Sequence, residues 1–227
     1  TLPTFTTLAA QSGAPFSIND IVPIANHLTE AGVVAVKADS PYKTIEELVA
    51  AAKEKGNLKA STNGNKASNH TAAQLLAKSA GFKYKAIPYG GTADQLLALR
   101  QGEVDFTCAK VADVAKLVKG DKPELRVLAV FNTKRDPELP NVPTLGEKGL
   151  YPEWYGSARA LVAPKGTKPE VIQYYVEAFK KTMQDPAVIE AHKKAGMALD
   201  FKDNKELGDL IKAQDKFARD VVNDLYK

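Results

Sequence analysis

The sequence holds a single cysteine, Cys108, among 227 residues. One thiol excludes a disulfide framework and a cysteine-based zinc site. Of the three histidines, His27 and His192 stand isolated, and no two share metal-ligand spacing, so no metal site is expected. No apolar run approaches the ~20 residues that span a bilayer. A Walker loop, a G-x-G-x-x-G run and a G-x-S-x-G elbow are all missing, and with them the usual signatures of nucleotide binding and serine hydrolysis. Low-complexity tracts are absent and 44% of residues are hydrophobic, which excludes disorder. No basic stripe with interleaved aromatics occurs, so nucleic acid is not an expected partner. Residues 1–16 carry no charge, no basic n-region and no long apolar stretch, and so are not a targeting segment. A chain that opens on Thr1 is expected to be mature, processed or truncated.

What is present describes an ordinary globular α/β protein. The length suits one large domain or two small ones. Lysine and arginine total 31 against 27 aspartate and glutamate, a formal charge of +4 spread over mixed-sign segments. Residues 1–32 are poorly patterned. Strands are expected at 33–36, 58–61, 84–87, 104–108, 125–131 and 158–162. Helices are expected at 45–55, 69–80, 92–101 and 111–119, then at 169–183, 186–195 and 204–225. Capping boxes Thr44/Glu47, Thr92/Gln95 and Thr144/Glu147 mark three helix starts. Gly56, Gly81 and Gly102 close helices. Strand–helix alternation over 33–131 predicts βαβ units and a parallel sheet.

In such sheets ligands sit beyond the carboxyl ends of the strands. Two loops occupy that position and lead into helix N-termini. One is Ser61, Thr62, Asn63, Gly64, Asn65, Lys66, Ala67 and Ser68, followed by His70. The other is Pro88, Tyr89, Gly90, Gly91 and Thr92. Helix N-termini offer N–H groups and a positive dipole end. Glycine allows close backbone approach, and hydroxyl and amide side chains add donors. Two such ends could hold a carboxylate. Taken singly, either loop also reads as an ordinary βα turn. Lys110, just beyond the 104–108 strand, could reach a ligand, but a solvated lysine is the commoner outcome. Cys108 reads as a small buried hydrophobe. Trp154 and Tyr155 suit either a pocket cap or core packing. A triad of Ser61, His70 and Asp94 can be assembled only on paper.

The same residues resemble a known family. Ser40 to Leu48 resembles the "P-x-K-T-x-x-E-L" segment of the tripartite tricarboxylate transporter receptors, the TctC-like or Bug solute-binding proteins. Ser61 to His70 resembles their "S-x-G-x-G-S-x-x-H" loop, and Ile87 to Gly91 their "V-P-Y-x-G" segment. Gly102 to Asp105 matches "G-x-V-D". Arg135, Pro137, Pro140, Val142, Pro143, Thr144, Glu147 and Gly149 follow a later proline-rich pattern, and Ala163 to Thr167 an "A-P-x-G-T" turn. The likeness covers about residues 20–225.

The resemblance implies a two-lobed periplasmic-binding-protein (Venus flytrap) fold. It implies an extracytoplasmic receptor rather than an enzyme, periplasmic or anchored as a cell-surface lipoprotein. Such a receptor binds a di- or tricarboxylate, aromatic acid or amino acid between its lobes. It would act without a cofactor, as a monomer, and deliver ligand to the membrane subunits of a tripartite transporter. Lobe one is expected at 1–36 plus 156–227 and lobe two at 37–155. The family's opening βαβ segment, with its glycine-rich loop, has no counterpart here, so lobe one is expected to be incomplete. Ligand contacts are expected from Ser61, Asn63, Gly64, Asn65, Ser68, His70, Tyr89, Gly90, Gly91, Thr92 and Lys110. Asn63 and Asn65 stand near the family's small residues, and Lys66 is an added charge, so ligand preference is expected to differ. Two other classes fit the sequence: a sensing module of the same fold docking a receptor kinase and, more distantly, a hydrolase using Ser61 and His70.

Overall fold

A computed structural model of the chain describes residues 1–226. The elements run α1 (Thr4–Ala9), β1 (Ile21–Lys37), α2 (Ile45–Lys55), β2 (Lys59–Thr62), α3 (Ser68–Ala80), β3 (Lys85–Pro88), α4 (Thr92–Gln101) and β4 (Phe106–Lys110). They continue with α5 (Val111–Val114), β5 (Leu125–Phe131), β6 (Gly156–Pro164), α6 (Pro169–Gln184), α7 (Pro186–Lys194), β7 (Leu199–Lys202) and α8 (Asn204–Phe217). A π-turn, Ala218–Val222, extends α8. The chain divides into two compact units, residues 1–30 with 157–227 and residues 31–156.

In the second unit the strand order is β3-β2-β4-β1-β5, with β1 represented by its residues 31–37. The sheet is mixed, not wholly parallel as the alternation predicts. β2 runs parallel to β3 and β4, but β1 is antiparallel to β4 and β5. Strand direction is set here by distant pairs such as Val34 with Cys108, which local alternation does not encode. Val33, Ala35, Leu99, Val114, Leu125 and Val130 form the core of one face, with Trp154 packed against it. Tyr155 is buried and meets Phe131 edge-on, so both aromatics serve packing.

Local chemistry explains the helices that behave as expected. Thr44 accepts from the Glu47 amide at 3.2 Å and starts α2. Its buried Ile45, Leu48, Val49 and Ala52 follow helical spacing. Gly56, Gly81 and Gly102 take left-handed φ of 66°, 70° and 78° at the ends of α2, α3 and α4. Other expectations yield to tertiary bonds. α4 is capped by Gly91 and not by Thr92, because the Gln95 side chain that would close the box is turned into the interior. The helix expected at 111–119 stops at Val114, since the Leu117 carbonyl accepts from Glu124 and Leu125 and turns the chain. Thr144 and Glu147 form their reciprocal bonds at 2.7 and 3.0 Å, yet cap only a turn. The neighbouring Pro143 carbonyl and Leu145 amide are bonded to Val130 of β5 and hold that segment along the strand.

In the first unit, residues 21–30 of β1 pair with β7 through Asn26–Lys202 and Leu28–Leu199. The poorly patterned opening is thus ordered: α1 forms, and β1 begins well before the expected residue 33. The unit has two apolar clusters. One joins Leu2, Ala158, Leu207 and Ile211; the other joins Ile24, Ala25, Ile172 and Val176. His27 and His192, isolated in sequence, meet here with their Nε2 atoms 2.7 Å apart.

Candidate functional site

The two loops leave adjacent parallel strands. Thr62 pairs with Pro88, and the Tyr89 amide donates to the Thr62 carbonyl at 2.9 Å. The first loop coils through Gly64 at φ 121° and Lys66 at φ 58°. The coil places the Lys66 amide 3.0 Å from His70 Nδ1. An amide can only donate, so Nδ1 accepts and the ring proton lies on Nε2. Burial holds the His70 pKa below its ordinary value, which favours this neutral form. Asn63 Oδ1 accepts from the Asn69 amide at 3.3 Å and caps the start of α3.

Lys110, the last residue of β4, reaches the same place. It is 4% exposed, a correction to the solvated lysine that the sequence favoured. Its Nζ donates to Ser68 Oγ at 3.2 Å and to Asn69 Oδ1. Both acceptors are neutral oxygens on the first turn of a 13-residue helix whose positive dipole end points the same way. Ammonium and helix terminus therefore add their positive fields at the start of α3.

The structure brings Asn63, Gly64, Ser68, His70 and Lys110 together around the start of α3. Asn65 is exposed at the loop crest. Ser61 turns the other way: it is fully buried, and its Oγ donates to Thr107 Oγ1 at 3.0 Å. That bond also removes the paper triad. On the second loop Gly91 and Thr92 form the start of α4, Gly90 is exposed, and the Tyr89 hydroxyl donates to Glu103 at 3.1 Å. Sequence reasoning missed Asn69, Gln95 and Thr107, all fully or almost fully buried. Asn69 lies one residue from two named candidates, and the Thr92/Gln95 pattern predicts a surface cap where Gln95 is in fact buried. Cys108 is fully buried, and burial pushes its thiol up to about 12. Among the described residues no group of three or more His, Cys, Asp or Glu is placed to hold a metal ion.

The model of the tripartite tricarboxylate transporter family receptor matches residues 4–225. The chain belongs to that family. The chain resembles a UPF0065 protein encoded in the gbd 5′ region of Cupriavidus necator, 37% identical over 170 residues, covering 74% of this chain and 50% of that protein. It is 26% identical to BugT of Bordetella pertussis over 202 residues, 82% of this chain and 61% of that one. The chain thus spans about half to three-fifths of the length of these relatives. Among solved structures, a TctC solute-binding protein from Polaromonas superposes with TM-score 0.80 at 26% identity, covering 98% of this chain and 76% of that one. The periplasmic binding protein BugD gives 0.87 at 23%, with 98% and 75% covered. MatC of Rhodopseudomonas palustris, described with bound malate, gives 0.84 at 21%, with 96% and 75% covered. The chain therefore has the periplasmic-binding-protein fold and sits in a family of solute-binding receptors, not of enzymes. No helix among its described residues is long and apolar enough to cross a membrane.

Proposed function

We propose that the protein is an extracytoplasmic receptor for a small carboxylate, which it delivers to the membrane subunits of a tripartite tricarboxylate transporter. The observation that carries this reading is the buried Lys110 ammonium at the first turn of α3. Asn63, Gly64, Asn65, Ser68 and His70 surround the carboxylate on one side. Tyr89, Gly90, Gly91 and Thr92 present the second helix start, and Ser61 supports the first loop from behind. Malate in a protein of the same fold agrees with a dicarboxylate. Neutral His70 donates from Nε2 and adds no second charge, which suits a site that must release its ligand.

The test is calorimetric titration of the full-length protein with di- and tricarboxylates, aromatic acids and amino acids. At least one acid should bind. Replacing Lys110 by Met removes a charge-assisted hydrogen bond worth about 1.5–3 kcal/mol, so affinity should fall about 10- to 100-fold. Binding of no acid, or undiminished binding by Lys110→Met, would refute the reading.

A further inference from the structure

Behind the first turn of α3 lies a chain of buried hydrogen bonds whose direction can be worked out. The Cys108 carbonyl can only accept, and Gln95 Nε2 lies 2.7 Å from it. Gln95 therefore points its amide nitrogen at β4, where Thr107 Oγ1 also accepts from it. The Thr107 hydroxyl is free to accept there because its own proton goes to the Ser61 carbonyl at 2.9 Å. Gln95 Oε1 then faces Asn69 and accepts from Asn69 Nδ2 at 2.9 Å. Asn69 is left with Oδ1 toward Lys110 Nζ. A flipped Asn69 would set an NH₂ against an ammonium. Amide orientation is usually ambiguous; here a backbone carbonyl fixes it two side chains away.

Gln95 and Asn69 are 0% and 1% exposed, so each bond in the relay is made in a low-dielectric interior. Apolar side chains would fill the same space without desolvating two amides. We propose that Gln95 and Asn69 are positioning residues for the carboxylate site, holding the Lys110 ammonium at the start of α3 through a relay anchored on the Cys108 carbonyl. The inference rests on the carboxylate reading of Lys110 given above.

The experiment is a double-mutant cycle in the full-length protein, with malate titrated by calorimetry into wild type, Gln95→Met, Lys110→Met and the double variant. If Gln95 acts through Lys110, Gln95→Met weakens binding about tenfold in the wild-type background, the scale of one lost hydrogen bond, and less than twofold in the Lys110→Met background. A merely structural Gln95 would lower affinity equally in both backgrounds, which overturns the inference. The isosteric Asn69→Asp is the second variant, in case Gln95→Met does not fold. Its carboxylate takes the ammonium as an ion pair and should weaken malate binding at least tenfold; unchanged binding again overturns the proposal. Wild type that binds neither malate nor any acid of the wider panel defeats the carboxylate reading itself, and this inference with it.

Discussion

Burial decides what each polar side chain can do. Ser61, Ser68 and His70 flank one short loop, yet Ser61 at the end of β2 faces Thr107 in the interior, while Ser68 and His70 in the first turn of α3 meet Lys110 and the Lys66 amide. Their spacing was legible in the sequence; their directions were not, because the turn through Gly64 and Lys66 separates them. Lys110 shows the same limit. Its place beyond a strand end was readable, but its burial depends on α3 packing over β4. Cys108 gives a direct check. With its pKa pushed up to about 12 by burial, almost no thiolate exists at pH 8, and the thiolate is the nucleophile. Iodoacetamide at pH 8 should leave native protein unlabelled and modify it only after denaturation. Rapid labelling of the folded chain would contradict the placement of Cys108.

Elements ended where local chemistry fixed them and differed where distant partners intervened. The glycine C-caps were readable because a left-handed residue after a helix demands glycine. The Thr144/Glu147 box was equally readable and still capped no helix, since main-chain bonds to Val130 hold its flanks. β1 was the least legible element. Its first half lies in the poorly patterned opening, yet the strand runs through both Pro23 and Gly32. Gly32 is needed for space and not for conformation. Its amide donates to the Tyr155 carbonyl at 2.8 Å, and an added Cβ would lie 3.0 Å from that oxygen and 3.2 Å from Phe131 Cδ2. Gly32→Ala should therefore destabilise the protein by about 1–3 kcal/mol, the usual cost of overpacking. A lowered urea midpoint measures it, and an unchanged midpoint would show that β1 can move aside.

At the scale of the whole molecule, acid sensitivity should come from both units. His27 has its pKa lowered from 6.5, first by burial, then by His192 and by Arg159. His192 Nδ1 lies 2.7 Å from the Val188 carbonyl, so it carries the proton, and His192 Nε2 must accept from His27. His70, in the other unit, is lowered by burial. A histidine with a depressed folded pKa binds fewer protons folded than unfolded, so stability rises with pH across that interval. Stability should be full above about pH 6.5 and fall as pH drops below it toward the folded values. Thermal melts from pH 7.5 to 5 should show a falling Tm, and His27→Gln with His70→Gln should flatten part of the slope. A Tm that holds steady to pH 5 in the wild type would count against both placements.

The sequence by itself determined the α/β class, the glycine-closed ends of α2, α3 and α4, and the family, because these rest on short-range caps, hydrophobic spacing and motifs in order along the chain. It also named both loops of the candidate site, since a strand followed by a glycine-bearing polar loop and a helix is a local pattern. Only the tertiary structure decided that Lys110 is buried, that Ser61 turns inward, that β1 is antiparallel to its neighbours and that His27 meets His192. Each of these depends on residues tens to more than a hundred positions apart, 41 for Asn69 and Lys110 and 165 for the histidine pair. Burial and hydrogen-bond direction are properties of such pairs, and no single segment contains both partners.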